Sequence, residues 1–188
     1  MRAHLDQTHR YEHVVRVARC ADVLAQHHGA DPAKARIAGL LHDLARLYTG
    51  PDLIEECERR GFAIAAFERD HPIVLHAPLG AALARERFGI EDQQILSAIE
   101  KHTLGAAEMS ALDCIIYLAD SLEPGRKFPE RAQLWKIALV DLRAATIATI
   151  ENTIHHYQRK DRTPAPQTLA ALEALRNQEQ QGVTPSLN

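Results

Sequence analysis

Asp31-Pro-Ala-Lys-Ala-Arg-Ile-Ala-Gly-Leu-Leu-His-Asp-Leu-Ala-Arg-Leu47 carries a helical period and a chemical anomaly together. Asp31 reads as an N-cap with Pro32 at the first helical position, where its missing N–H costs nothing. Ala35, Ala38, Leu41 and Ala45 then recur at helical spacing, so an amphipathic helix is predicted to run to about Leu47. His42 lies on or beside that apolar face, and Asp43 stands one step further round the cylinder. An imidazole and a carboxylate inside the apolar run Ile37 to Leu44 are costly unless something compensates them. A divalent metal does so, taking neutral imidazole nitrogen and carboxylate oxygen directly. Bonds to neighbouring side chains would serve as well, so the dipeptide alone leaves both readings open.

Outward from this segment the chain keeps the same period, and strand alternation is missing. A first helix is expected from about Thr8 to His28, with Val14, Val17, Ala18, Ala21, Leu24 and Ala25 as its apolar stripe and Gly29 as its stop. Beyond the Thr49-Gly50-Pro51 break, helices are expected over about Asp52–Arg60, His76–Phe88 and Glu91–His102. The stretch Phe62–Leu75 is less regular. Ser110 and Asp113 form a capping-box pattern for a helix to about Leu122, which Glu123-Pro-Gly125 ends. Pro129–Arg159 holds one helix, or two broken near Lys136, and a last helix covers about Pro166–Gln178. The expected architecture is one all-α domain over residues 1–179 with a loose tail over 180–188.

Composition excludes several classes of function. With 188 residues and a formal charge of -3, the chain fits one domain and offers no global attraction to a nucleic-acid polymer. Cys20, Cys57 and Cys114 form no paired motif, so neither a disulfide framework nor a thiolate metal site is indicated. Met1 to Arg10 holds no apolar run of signal-peptide type, and no stretch is apolar enough to span a membrane. A reduced, cytoplasmic protein is expected. Among its 11 histidines, position matters more than number.

His13 shares the inward stripe of the first helix with Val17, Ala21 and Leu24. A lone inward histidine is more often a satisfied core residue than a ligand. Asp120 ends the apolar run Cys114-Ile-Ile-Tyr-Leu-Ala-Asp120, where a carboxylate opposes the helix dipole. His76 opens one helix; His102 sits near the end of another, on the Ile95–Ile99 face, a common electrostatic placement.

In order, these residues read His13, His42-Asp43, His76, His102, Asp120, and the pattern H…HD…D on successive helices resembles the HD superfamily of metal-dependent phosphohydrolases. More narrowly, five segments are similar to the YqeK family of symmetrical diadenosine tetraphosphate hydrolases. They are Arg10-Tyr-Glu-His13, Ala38-Gly-Leu-Leu-His-Asp-Leu-Ala-Arg46, Leu75-His-Ala-Pro78, His102-Thr103 and Ile116-Tyr-Leu-Ala-Asp-Ser-Leu-Glu-Pro-Gly-Arg126. The similarity spans about Arg10 to Arg176. It implies an HD-domain helical bundle, a homodimer, and a metal, iron in this family, held by His13, His42, Asp43 and Asp120. It also implies that His13, Arg46, Leu47, Tyr48, Thr49, His76, His102, Thr103, Asp120, Arg126, Lys127 and Phe128 face the nucleotide. The family usually has Lys where Arg46 stands, and a planar fork is not equivalent to a point charge at a phosphate.

The implied reaction is hydrolysis of diadenosine tetraphosphate to two ADP, with Asp43, His76 and His102 as catalytic residues. Asp43 would orient or deprotonate the attacking water, while His76, His102, Arg46, Arg126 and Lys127 balance phosphate charge. Nitrogen and oxygen ligands admit iron, manganese, cobalt or zinc, and His76 with His102 makes room for a second ion. One alternative is an HD phosphohydrolase for mononucleotides or guanosine polyphosphates. Another is a non-catalytic nucleotide-binding module, which should have lost ligands that are all present here. A third is a separate metal pair, His9 with His13. His27-His28 and His155-His156 read as solvent-facing. Trp135, the Leu134–Ile150 stripe, Phe62, Phe67 and Phe88 read first as packing.

Overall fold

Alanine and glycine positions set how closely the helices approach one another. The computed structural model describes residues 2–180, with side chains from 8 to 178. Helix α1 (Arg2–His27) is followed by α2 (Pro32–Leu41), α3 (Gly50–Arg59) and the short α4 (Ala66–Asp70). A 3-10 turn (Pro72–Leu75) leads into α5 (His76–Phe88), then α6 (Gln93–Lys101), α7 (Ala111–Leu122), α8 (Arg131–Ala138), α9 (Leu142–Gln158) and α10 (Pro166–Gln180). The described residues contain no strand. The tail expected over 180–188 lies, from residue 181 onward, outside the described residues.

α7 is the axis of the molecule. Every residue from Ala111 to Ala119 is buried, and α1, α2, α6, α8 and α9 pack around it. A helix apolar on all sides has no stable place except among other helices. Its start is fixed as the sequence predicts: Ser110 Oγ accepts from Asp113 N–H (3.2 Å), while Asp113 Oδ2 takes Ser110 N–H (2.9 Å) and Lys101 Nζ (2.9 Å). α1 lies against α2 at Gly39, where an added Cβ would stand 2.8 Å from Ala18 Cα. Only a glycine permits that approach, and it brings His13 alongside His42. A second apolar cluster, Ala45, Leu53, Cys57, Leu75, Leu79 and Leu83, seats α3 and the 3-10 turn on α5.

Three expectations change. α2 ends at Leu41 instead of about Leu47, and Leu44, Arg46 and Tyr48 donate to carbonyls three residues back at 3.0–3.2 Å. Ile37 and Leu40 of the apolar run face solvent; the buried face is Ala35, Ala38, Gly39 and His42. The long C-terminal stretch breaks at Val140-Asp141 instead of Lys136, because Asp141 caps α9 through Ala144 N–H (3.0 Å). The three cysteines are buried and free. No described helix is long and apolar enough to cross a membrane.

Candidate metal centre and substrate cavity

A histidine at a helix C-terminus has an obvious partner, a carbonyl left over from the last turn. His42 Nδ1 donates to Gly39 O (2.7 Å) and His102 Nδ1 to Ile99 O (2.7 Å), each as the residue that ends its helix. His76, at the end of the 3-10 turn, does the same with Ile73 O (2.5 Å). These partners accept only, so Nδ1 carries the proton and Nε2 presents a lone pair inward. His13 lies within α1, where the nearby carbonyls are already used. Its Nδ1 donates instead to Glu123 Oε1 (3.1 Å), and Arg16 Nε holds Glu123 Oε2 (2.5 Å). Four imidazoles thus present Nε2 to one cluster.

Two carboxylates complete that cluster. His13 Nε2 lies 3.1 Å from Asp120 Oδ1 and 3.8 Å from Asp43 Oδ2; His42 Nε2 is 3.8 Å from both oxygens. Asp43 Oδ1 is 3.3 Å from His76 Nε2, so this carboxylate stands between the histidine pairs. Three overlapping triads, His13–His42–Asp43, His42–His102–Asp120 and Asp43–His76–His102, each bring their donor atoms within 4.8 Å of one another.

Two features fit a cation. His42 Nε2 is fully buried and has no hydrogen-bond partner. His76 Nε2 and His102 Nε2 face each other at 3.1 Å with both protons on Nδ1, and the Thr103 hydroxyl beside them can satisfy only one. Opposed lone pairs repel; a divalent ion between them would be ligated by both.

Electrostatics agree with a ligand role. Burial lowers the pKa of His42 and, with the neighbouring His42 and His76 rings, pushes His102 down to about 3, so both stay neutral. Asp43 and Asp120 are held well below the carboxylate range: burial opposes this, but the adjoining imidazoles, His76 and His42 at Asp43 and His13 and His42 at Asp120, prevail, with Arg126 also acting on Asp120. Burial acts downward on His13 too, yet Asp120 and Glu123 outweigh it and raise its pKa.

Above these groups opens a cavity of about 1160 Å³. Arg10, Arg46, Arg126 and Lys127 line it, with Thr103 and Phe128. Arg10 Nη1 holds Asp43 Oδ2 (2.8 Å); Arg126 contacts Asp120 Oδ1 and donates through Nε to Asp120 O (2.9 Å). Of the Arg46–Thr49 stretch only Arg46 reaches the cavity. Leu47 is exposed, Tyr48 accepts from Arg87 Nη2 (2.8 Å), and Thr49 caps α3 with Asp52. His9 lies on the rim, exposed, and belongs to none of the triads. Phe62, Phe67 and Phe88 do not line it. Of the histidines read as solvent-facing, His28 instead bonds Ala138 O (2.7 Å).

The sequence reading missed Glu123, which Glu-Pro-Gly disguises as a simple helix stop, and Arg10, quoted within a motif but given no role. A carboxylate three residues after Asp120, on the same helix flank, was the available signal.

All-helical packing that gathers imidazole nitrogens and carboxylates under a cationic rim defines a metallohydrolase-like centre. The HD domain model matches residues 10–125 of the chain. Symmetrical bis(5'-nucleosyl)-tetraphosphatases from Halalkalibacterium halodurans and Bacillus subtilis are each 38% identical to it. These matches cover 93% and 85% of this chain and 92% and 86% of the relatives. A crystal structure from Clostridium acetobutylicum, described as a predicted HD superfamily hydrolase involved in NAD metabolism, superposes with a TM-score of 0.87. It is 38% identical, with 90% of this chain and 89% of that one covered. The chain belongs to the HD-domain family, among its symmetrical bis(5'-nucleosyl)-tetraphosphatases.

Proposed function

We propose that the protein hydrolyses diadenosine tetraphosphate at its central linkage: water adds to one inner phosphorus, the central P–O bond breaks, and two ADP leave. The observation that carries this reading is the convergence of four Nε2 atoms and two carboxylates beneath a cationic cavity, in a chain so similar to curated symmetrical tetraphosphatases. His13, His42, Asp43 and Asp120 would hold the ion, iron first and otherwise manganese, cobalt or zinc; His76 and His102, with Asp43 shared, would hold a second. A divalent ion there supplies Lewis acidity towards a phosphoryl oxygen and makes water a stronger acid.

The remaining work falls to the chain. Asp43 orients the attacking water and accepts its proton, its Oδ2 kept in place by Arg10. His76, His102 and Thr103 face the inner phosphates, and Arg46, Arg126 and Lys127 balance the charge that spreads over them in the transition state. Arg126 is bonded to Asp120 through its backbone oxygen, so phosphate grip and ligand position share one loop. The protein would act in the cytoplasm as a homodimer, and sedimentation of the purified chain checks the dimer.

Product analysis tests the central claim. Incubation with diadenosine tetraphosphate should yield ADP alone; ATP plus AMP would refute central cleavage, and activity only on mononucleotides or guanosine polyphosphates would move the substrate elsewhere. His42→Ala and Asp43→Ala should each lose about 10²-fold or more in kcat together with bound metal.

A further inference from the structure

Arg10 stands three residues before His13 on α1, so both side chains leave one face of the helix and line the cavity. Tyr11 and Glu12, between them, are exposed. Arg10 Nη1 donates to Asp43 Oδ2 (2.8 Å), while its Nε is buried and has no hydrogen-bond partner. Its Nη2 likewise bonds none of the described residues. In a guanidinium Nε–H and Nη2–H run parallel along one edge, the fork that grips a phosphate side-on. Spending Nη1 on Asp43 leaves that fork whole. A buried donor without an acceptor is costly, and a guanidinium has only donors, so its partner must be an acceptor and not a metal ion.

Arg46 supplies an independent sign of an anion. Its half-buried guanidinium lines the same cavity and forms no hydrogen bond or ion pair with the described residues. Burial, and after it the charge of Arg10, lowers its pKa. Asp43 and Asp120 act the other way, but each already holds an arginine and faces imidazoles. Glu12 and Glu123 are taken by Arg16. Two guanidiniums close enough to perturb each other, with no carboxylate to spare, leave room in the charge balance for an incoming anion. Arg126 repeats the arrangement on the other side, bonded to Asp120 and lining the cavity.

We propose that Arg10 is a substrate-contacting residue: its Nε–Nη2 fork binds a phosphate of the polyphosphate chain, together with Arg46, while Nη1 keeps Asp43, a role that rests on the hydrolysis proposed above. The planar guanidinium then fixes the distance between that phosphate and the carboxylate that orients water. Nucleophile and phosphorus are aligned through one rigid group.

The test sets ADP affinity, from calorimetric titration of the metal-loaded chain, beside metal affinity, from chelator competition. Arg10→Lys keeps a cation for Asp43 but puts a single nitrogen in place of the fork. It should bind ADP about tenfold or more weakly, with metal affinity held within about threefold. Arg10→Ala should weaken ADP at least as much without weakening the ion, since removing a cation beside Asp43 does not penalise another. ADP affinity unchanged in both variants would overturn the contact. So would parallel loss of ADP and metal, the mark of a residue that acts only by holding Asp43 in place. Products formed from diadenosine tetraphosphate by the unaltered protein test central cleavage separately; the affinity comparison needs no turnover.

Discussion

Glu123 shows how much one buried carboxylate can organise. It is 2% exposed, accepts from His13 Nδ1 and Arg16 Nε, and takes the Gly125 N–H (2.5 Å). The other three inward imidazoles are steadied by neutral carbonyls of their own segment; His13 alone leans on a charge from another helix. A carboxylate behind a ligating imidazole fixes its tautomer and raises its basicity. Glu123→Gln keeps the shape and one acceptor but removes the charge. It should weaken metal affinity about 10–100-fold, measured by chelator competition, while the metal-free protein keeps its secondary structure. Unchanged affinity would make Glu123 a mere spacer. Gly125 belongs to the same arrangement, for a Cβ there would stand 2.6 Å from Arg16 Nη2 and 2.8 Å from Glu123 Oε1.

Between elements, the clearest polar tie joins α3 to α5. Arg60 donates to Glu86 through Nε (2.8 Å) and Nη2 (2.7 Å) and also holds Glu56, which Arg59 binds as well (2.8 Å). Arg59 and Arg60 pull Glu56 down to about 2, and Arg60 lowers Glu86. Because both carboxyls titrate below their unfolded value of 4.5, the tie is complete above that pH and is lost as pH falls towards about 2. The melting-temperature gap between the parent chain and Arg60→Gln should therefore narrow steadily as acid is added across that window. A gap independent of pH would point to lost packing instead.

Much of this element level is legible in the sequence, for definite reasons. Caps at Asp31, Ser110 and Gly89 announce helix ends because their chemistry is local, and the inward stripe that includes His13 follows from period alone. The end of α2 is misjudged because Leu44 and Ala45 keep the apolar pattern through a run of tight turns. Tyr48 and Thr49 cannot be told from cavity residues until α3 is seen to use Thr49 as its cap. The C-terminal end of α9 is hidden for a different reason: Arg159, Lys160 and Arg162 look like an ordinary solvated helix end, and only tertiary packing puts them on the same cavity as His13.

At the scale of the molecule, the donor atoms come from α1, the end of α2, α5, the end of α6 and α7. An ion bound by the folded state and not by the unfolded chain acts on the global equilibrium. Chelation should lower the melting temperature, and re-adding metal at about 100 times its dissociation constant should restore about 2.7 kcal/mol. Identical melting with and without chelator would mean that the ion does not bind these helices in the folded state.

The return of His42, His76 and His102 to carbonyls three residues back has an optical consequence. Each ring is bolted to its own backbone segment, so a displaced helix carries its nitrogen with it and no side-chain rotation absorbs the shift. With cobalt as the resident ion, the visible absorption bands would respond to such displacements. A substitution anywhere in the apolar interior could then be gauged by colour, without unfolding the protein.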